Sequence, residues 1–287
     1  MKNGIPIFID ELTHAYGALR LSWRSKWTGL PAVIQGSLNW LLSDGITSLR
    51  LEDTPLYGIL IRAAEIVELT GARMASSGME PPYHNRLHIA DTVVSMACLL
   101  RATRRLSGLE SRPLCKEESL CILTMLLHDY GHEGSINLST KQNEQHSVFL
   151  YTPLMKSMGL SPQDLAQMNA MVLSTDPASL DELHRKFKVR PPSNGPLEIE
   201  EMTILVTEAD ILASALSYPG LDLTRSLSRE WSARYPEKSS VLLTSEGRLA
   251  FLRSGLHFSS NAAKALGIPL LVSSQRQQIQ QQLVKST

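Results

Sequence analysis

The apolar positions of the chain recur mostly at helical spacing. Between residues 86 and 106, Leu87, Val93, Ala97 and Leu100 fall near a 3.6-residue period, which predicts a helix. Amphipathic patterning, or a capping residue followed by proline, predicts further helices over residues 55–70, 116–129, 162–174, 177–188, 197–217 and 246–266. No segment alternates cleanly around a two-residue glycine turn. The pattern therefore predicts an all-α protein.

Loop signals divide the chain only weakly. Residues 1–45 are predicted to form an N-terminal helical extension and residues 46–272 the main helical domain. The Gln-rich segment 273–287 is predicted to be a tail that is either a solvated helix or frayed. Trp23 and Trp27 are four residues apart, which favours a role in helix packing, with a homodimer contact as the alternative.

Charge and cysteine content exclude several classes of protein. The 28 basic residues are balanced by 28 acidic residues, so no basic excess exists to neutralise a nucleic-acid backbone. Three cysteines without a CxxC pair argue against both a disulfide framework and a zinc ribbon. No apolar run approaches the ~20 residues of a membrane-spanning helix, and the first residues lack a signal peptide pattern. We expect a cytoplasmic protein that binds neither nucleic acid nor membrane.

A small basic run occupies one predicted helix end. Arg101, Arg104 and Arg105 lie close together near the end of segment 86–106. The ordinary interpretation is a solvated helix end, and recruitment of a phosphate is the alternative.

Ionisable residues interrupt three segments that are otherwise suited to burial. These segments are YHNRLHIAD at 83–91, HDYGHEG at 128–134 and EAD at 208–210. A buried carboxylate or imidazole without a partner is strongly destabilising. A divalent cation is one partner that would satisfy all three segments at once.

The candidate ligands are two histidines and two aspartates, namely His88, His128, Asp129 and Asp210. His128 and Asp129 are adjacent and would project roughly 100° apart on a helix, so both could contact one ion. Imidazole and carboxylate together suit zinc, iron or manganese better than calcium. A single histidine such as His88 is more often a satisfied core residue than a ligand. The ordered combination of all four is much less expected by chance.

At these residues the chain resembles the HD-domain phosphohydrolases. Among them it is most similar to the catalytic domain of the class I 3′,5′-cyclic-nucleotide phosphodiesterases, over roughly residues 50–270. The matching blocks follow the family's order: YHNRLHIAD at 83–91, HDYGHEGSIN at 128–137, NEQHS at 143–147, VLSTDPASLDELHRKF at 172–187 and EADI at 208–211. The resemblance implies a multi-helix HD-domain bundle of the phosphodiesterase type and a catalytic role for the domain at 46–272.

The resemblance also implies a role for individual residues. A tight Zn²⁺ would be held by the four candidate ligands, and Asp129 would bridge to a second ion, Mg²⁺ or Mn²⁺. His84 would be the general acid that protonates the departing 3′-oxygen. Residues implied around the second ion and its waters are His132, Glu144, Thr175, Asn137 and His146. Residues implied in substrate contact are Phe251, which would stack on the purine, and Tyr83.

The implied reaction is hydrolysis of cyclic AMP or cyclic GMP, a small-molecule substrate, to the 5′-monophosphate by a hydroxide that bridges the two metals. Two departures leave the substrate open. Segment 211–214 reads ILAS where the family has a polar stretch ending in Asn-Pro, and no Gln lies shortly before Phe251, where the family has one. Glu246 and Arg248 are the nearest hydrogen-bonding candidates. The alternatives are an HD-type phosphohydrolase acting on another nucleotide or phosphoester, and a non-catalytic nucleotide- or partner-binding module.

Overall fold

The computed structural model of the chain describes residues 5–45 and 50–286. Within these ranges all regular secondary structure is helical, which confirms the predicted all-α class. Two short 3-10 helices span Leu51–Asp53 and Pro177–Ser179. The α-helices are α1 (Ile5–Ser25), α2 (Leu30–Leu42), α3 (Tyr57–Ser76), α4 (Arg86–Leu106), α5 (Lys116–Leu127), α6 (Gln142–Ser157), α7 (Pro162–Leu173), α8 (Leu180–Lys186), α9 (Ile199–Ala215), α10 (Ser217–Trp231), α11 (Pro236–Leu242), α12 (Ser245–Ser254), α13 (Asn261–Ala265) and α14 (Ile268–Ser286).

Side-chain caps start two helical segments where the sequence predicts them. The hydroxyl of Ser161 accepts a hydrogen bond of 3.1 Å from the backbone N–H of Asp164, and α7 begins at Pro162. The carboxylate of Asp176 accepts one of 3.3 Å from the backbone N–H of Ala178, at the start of the second 3-10 helix. Cap and proline together therefore mark both starts correctly.

Two predicted boundaries are wrong. Helix α3 does not start at Pro55, because Leu56 has a left-handed backbone with a φ of 61° that a right-handed helix cannot contain. The segment 246–266 is not one helix but α12 and α13, separated by an irregular stretch. The hydroxyl of Ser260 ends that stretch by accepting a hydrogen bond from the backbone N–H of Ala263.

Helix α4 is the centre of the fold. It packs against α1, α2, α5, α9 and α13, and most of its residues are buried. Small side chains such as Ala90, Ser95 and Ala97 let these neighbours approach closely. Because α5 and α9 lie beside it, the start of α4 can meet residues from both helices at one point.

The N-terminal helices share the same hydrophobic core. Leu12 and Tyr16 of α1 and Ile34 and Leu38 of α2 are fully buried in the cluster that also contains the central helices. The first residues of the predicted catalytic domain, 46–49, lie outside the described residues, as do residues 1–4 and 287 of the predicted extension and tail. The three predicted domain limits stay predictions.

Trp23 and Trp27 stack edge to face within α1 and the segment that follows it, with ring centroids 4.9 Å apart. The indole N–H of Trp27 donates a 2.9 Å hydrogen bond to Glu68 of α3. These contacts fit a role in helix packing, while the homodimer stays a prediction. Every helix in the described part of the chain is too short or too polar to span a lipid bilayer.

Candidate metal centre

His88 is positioned by the cap of α4. The side-chain oxygen of Asn85 accepts hydrogen bonds from the backbone N–H groups of Leu87 at 2.9 Å and His88 at 3.2 Å. This cap fixes the first turn of the helix, so the imidazole of His88 leaves it in a defined direction. The side chain is almost completely buried.

His128 and Asp129 lie in the turn that follows α5, not within a helix as the sequence analysis assumed. The helix ends at Leu127, and the chain then turns toward Gly131, whose φ of 80° favours glycine. His128 Nδ1 is 2.8 Å from the carbonyl oxygen of Met125. A proton on Nδ1 is donated to that carbonyl, which leaves the Nε2 lone pair for another partner.

The four predicted ligands come together at one point. Nε2 of His88 is 3.2 Å from Oδ2 of Asp129 and 3.4 Å from Oδ1 of Asp210. Nε2 of His128 is 3.1 Å and 3.3 Å from the same two oxygens. One atom from each of His88, His128 and Asp129 lies within 4.8 Å of the others, which is close enough for a single ion. Helices α4 and α9 and the turn after α5 therefore supply the candidate centre.

The donor set fits a divalent cation. Nε2 of His128 is buried and has no hydrogen-bond partner within the described residues. Its lone pair faces oxygens of Asp129 and Asp210, and such a contact is repulsive unless a positive charge lies between them. Two imidazole nitrogens and two carboxylates are a mixed nitrogen and oxygen set, which suits zinc, manganese or iron.

Protons can serve as the positive charge in the metal-free protein. Burial disfavours the charged form of His88, but hydrogen bonds to Asp129 and Asp210 outweigh it and raise its pKa to about 9. Burial acts on His128 in the same way, and the two carboxylates again raise its pKa. Burial raises the pKa of Asp210, but the neighbouring His128 outweighs this and lowers it to about 2. The cluster therefore favours bound positive charge.

His84, the predicted general acid, is held by a residue that the sequence analysis missed. Its Nδ1 is 2.5 Å from Oε1 of Glu230 in α10. The other oxygen of Glu230 accepts hydrogen bonds from the backbone N–H groups of Tyr83 at 2.8 Å and His84 at 3.0 Å. Burial raises the pKa of Glu230, but the bond to His84 outweighs it and lowers that pKa. Glu230 fixes both the backbone and the ring of His84.

His132 lies against His84, with the two rings stacked and their centroids 3.7 Å apart. Its Nδ1 accepts a 2.9 Å hydrogen bond from the backbone N–H of Gly134. Burial lowers the pKa of His132 to about 4, and the neighbouring His84 adds to the effect. His84, Asp129 and His132 line one small cavity, so the neutral imidazole of His132 is close to the outer side of the candidate centre.

Two other residues predicted around the second ion, Asn137 and Glu144, form a separate hydrogen-bonded group with Asp176. The side-chain amide of Asn137 donates to Glu144 at 3.0 Å and to Asp176 at 3.2 Å. Glu144 is buried, and desolvation raises its pKa. Thr175 is buried and donates its hydroxyl hydrogen to the carbonyl of Val172. These contacts link the loop before α6 to the end of α7.

His146 differs from the other predicted residues of this group. It is exposed on α6 beside Gly131, and it forms no side-chain hydrogen bond within the described residues. Its predicted place near the second ion stays a prediction.

The predicted substrate contacts meet at a cavity of about 50 Å³ that Tyr83 and Phe251 both line. The Tyr83 ring lies 4.7 Å from the ring of His88, and its hydroxyl is 3.2 Å from that of Ser214. This cavity is therefore next to the candidate metal centre. The guanidinium of Arg248 lies 5.4 Å from the centroid of Phe251.

The guanidinium of Arg248 binds the backbone at the C-terminal end of α9. It donates to the carbonyl oxygens of Ser214 at 2.9 Å and Leu216 at 3.3 Å, and to the side chain of Gln275 at 3.2 Å. A guanidinium is well suited to the free carbonyls of a helix C-terminus. Burial lowers the pKa of Arg248 to about 10, so the side chain remains charged near neutral pH. Arg248 thus stabilises the helix that carries Asp210.

Comparison of the chain with models of known protein families gives no match, and comparison with curated proteins gives none either.

Proposed function

We propose that this protein is a metal-dependent phosphohydrolase that opens a 3′,5′-cyclic nucleotide to the 5′-monophosphate. The observation that carries the proposal is the convergence of two histidines and two aspartates around the unpartnered Nε2 of His128. The resemblance of the surrounding motifs to the class I cyclic-nucleotide phosphodiesterases supports the reaction and the substrate class.

The first ion, expected to be Zn²⁺, would be held by His88, His128, Asp129 and Asp210. Asp129 and His132 line the same small cavity, which supports a second ion there, Mg²⁺ or Mn²⁺. Bound divalent cations lower the pKa of water and neutralise the charge of a phosphoryl group. Asp129 and Asp210 keep side-chain exposures of 18% and 21%, so both are accessible from solvent.

His84 is suited to protonate the leaving group. Opening the cyclic ester breaks the bond between phosphorus and the 3′-oxygen, and that oxygen needs a proton as it departs. With Nδ1 bonded to Glu230, His84 can carry that proton on Nε2 and give it to the 3′-oxygen. A water molecule supplies the oxygen that ends on phosphorus. Proton donation of this kind contributes a rate factor of about 10²–10⁴.

A second candidate function is hydrolysis of another nucleotide or phosphoester at the same centre. The observation that favours it is the position of Arg248, the nearest hydrogen-bonding residue before Phe251. Its guanidinium is engaged by Ser214, Leu216 and Gln275 rather than directed at a ligand. Selection between bases usually depends on a polar group that is available to the base edge.

The test combines metal analysis with a substrate panel. We expect the purified protein to contain a transition metal and to convert cyclic AMP or cyclic GMP to the 5′-monophosphate. We expect Asp210→Asn to lose metal and activity together, because one of two carboxylates is removed. His84→Asn should keep the metal while the rate drops. Asp181→Asn, at an exposed acid of α8, is the matched control.

Each alternative gives a different result. Turnover of linear nucleotides or other phosphoesters, with none of cyclic nucleotides, would support the second candidate. Binding of nucleotide without turnover in Mg²⁺ or Mn²⁺ would support the non-catalytic module. Full activity of the Asp210→Asn variant, or protein free of transition metal when active, would contradict the proposed function.

A further inference from the structure

A cavity of about 530 Å³ lies on the far side of the segment that carries His84. It opens between α1 and α10, and residues 82–87 contribute part of its wall. The volume falls within the range of roughly 300–1,000 Å³ that is typical of small-molecule sites. Four of its lining residues are arginines, so we call it the arginine cavity: Arg20, Arg24, Arg225 and Arg229.

Positive charge is concentrated in the arginine cavity, although the chain as a whole has a formal net charge of zero. Asp222 is the one acidic residue that lines it. Arg20, at its base, is neutralised by the buried Asp91, to which it donates hydrogen bonds of 2.8 Å and 2.7 Å. The remaining three arginines therefore share a single carboxylate.

Asp222 pairs with Arg24 and Arg225, so within the described residues Arg229 has no acidic partner. Asp222 lies 3.7 Å from Arg24 and 3.0 Å from Arg225. In the described part of the chain, the guanidinium of Arg229 donates a hydrogen bond only to the hydroxyl of Ser226, at 3.1 Å. Arg225 and Arg229 are four residues apart on α10, where two like charges repel and destabilise the helix. An anion between them would remove that repulsion.

The chemistry of the lining indicates the kind of anion. Guanidinium groups bind phosphate in bidentate geometry, which makes arginine the usual residue for phosphate recognition. Trp23, Leu87 and Leu243 add an apolar and aromatic wall. We propose that the arginine cavity binds a small molecule that carries a phosphate group next to a ring or another apolar part.

This proposal goes beyond the proposed function, because the arginine cavity is separate from the candidate metal centre. The two cavities meet at Asn85, which lines both the arginine cavity and the small cavity beside Asp129. His84 and Asp129 line only the second of these cavities. Arg229 lines the cavity, while its neighbour Glu230 holds His84. The bound molecule would therefore touch both segments that position the predicted general acid.

Isothermal titration calorimetry with 5′-AMP tests the proposal, with adenosine as the analogue that lacks phosphate. The full chain is measured both metal-loaded and after treatment with EDTA, because EDTA removes binding that depends on the metal centre. We expect 5′-AMP to bind in both states and adenosine to bind much more weakly. Arg225→Gln combined with Arg229→Gln should weaken 5′-AMP binding by about tenfold or more, since charge-assisted hydrogen bonds are lost.

Arg253→Gln is the matched control, because Arg253 is an exposed arginine of α12 outside the cavity. It should bind 5′-AMP like the wild type, and circular dichroism should give the same helix content for all variants. The proposal is overturned if 5′-AMP binds only the metal-loaded protein, if it binds neither state at millimolar concentration, or if the double variant and the control bind alike. Equal binding of adenosine and 5′-AMP would overturn it as well.

Discussion

Helix α4 carries ionisable side chains at both ends, and its neighbours balance their charges in different ways. Near the C-terminal end, Arg101 donates to Asp44 at 2.8 Å and 2.5 Å, and Nη1 of Arg104 lies 3.0 Å and 2.9 Å from the two oxygens of Glu118. Near the N-terminal end, His88 shares two carboxylates with His128, whose Nε2 has no hydrogen-bond partner within the described residues. Each arginine at the C-terminal end, which we call the closed end, is paired with a carboxylate, although Nε of Arg104 also has no hydrogen-bond partner within the described residues. At the N-terminal end, which we call the open end, two imidazoles and two carboxylates converge on one point instead.

Because buried charges lie at both ends of α4, buried charge alone does not identify a functional site. Arg101 and Arg104 are only 6% and 3% exposed, so the prediction of a solvated helix end was wrong for these two residues, whereas Arg105 is exposed as predicted. Their charges are neutralised by paired carboxylates, a structural arrangement that needs no ligand. The histidine end differs because nitrogen lone pairs and carboxylate oxygens converge on one point. The feature that indicates a cation is the convergence of imidazole nitrogens and carboxylate oxygens that need a proton or a metal ion between them.

The largest expected effect comes from removing a charge at the open end. Asp129→Asn should reduce metal content to background, and the activity of the proposed function should fall by about 10³-fold or more, because metal-assisted chemistry is lost with the ion. Elemental analysis and a phosphate-release assay measure the two losses. Retained metal together with full turnover would mean that Asp129 is not a ligand, and the contrast between the ends of α4 would fail.

Removing a charge at the closed end should affect stability instead. Arg104→Met leaves the buried carboxylate of Glu118 without a counter-charge, so we expect the free energy of unfolding to fall by about 3–5 kcal/mol with metal affinity unchanged. Denaturant unfolding measures this loss. Arg104→Met combined with Glu118→Leu should recover much of it, because no unpaired charge remains.

Arg105→Gln is the matched control for that experiment. Arg105 pairs with Asp44 but is 39% exposed, so its loss should lower the free energy of unfolding by no more than about 1 kcal/mol. Equal losses for Arg104→Met and Arg105→Gln would contradict the structural role of the buried pair.

The sequence predicts the helices best where local signals coincide. Helix α7 begins at Pro162 as predicted, because a capping serine and a proline coincide there, and α4 spans residues 86 to 106 as its apolar periodicity predicts. The end of α5 was missed, because no helix-breaking residue stands between Leu127 and Gly131. The two-helix form of 246–266 was missed although Gly255 follows the end of α12 and Ser260 caps the start of α13, because apolar residues continue across the break at Leu256 and Phe258.

The candidate ligands could be predicted because their motifs are local and unusual. Glu230 could not, since it lies 146 residues beyond His84 and on an amphipathic helix where a glutamate is an ordinary surface residue. The closed pairs of α4 were missed in the same way, because Asp44 and Glu118 are brought to their arginines only by the tertiary fold. Long-range pairing of this kind leaves no spacing signal in a single sequence.

A third prediction uses pH to compare the open end with and without metal. His88 has a pKa raised from 6.5 to about 9, so the metal-free fold binds its proton more tightly than the unfolded chain does. This stabilisation is fully present below pH 6.5 and is lost as the pH rises through 9. It amounts to about 3 kcal/mol in the free energy of unfolding.

Thermal unfolding between pH 6.5 and 9.5 measures this contribution. The metal-free protein should lose stability across the range, while the metal-loaded protein should change much less, because a ligating histidine carries no titrating proton at that nitrogen. Metal-free His88→Asn should lose less stability than metal-free wild type. Parallel curves for the metal-free and metal-loaded proteins would contradict the assignment of His88 as a ligand.

The smallest expected effect concerns Glu230, which lies beside the open end of α4. Its 2.5 Å distance to His84 is similar to the distances that join Arg101 to Asp44 and Arg104 to Glu118 at the closed end. Glu230→Gln should lower kcat by about 10- to 100-fold with little change in KM, a range typical of residues that orient a functional histidine. Glu237→Gln, at an exposed glutamate of α11, should leave kcat and KM unchanged. A loss of stability with kcat unchanged would instead give Glu230 the same structural role as the acids that pair with Arg101 and Arg104.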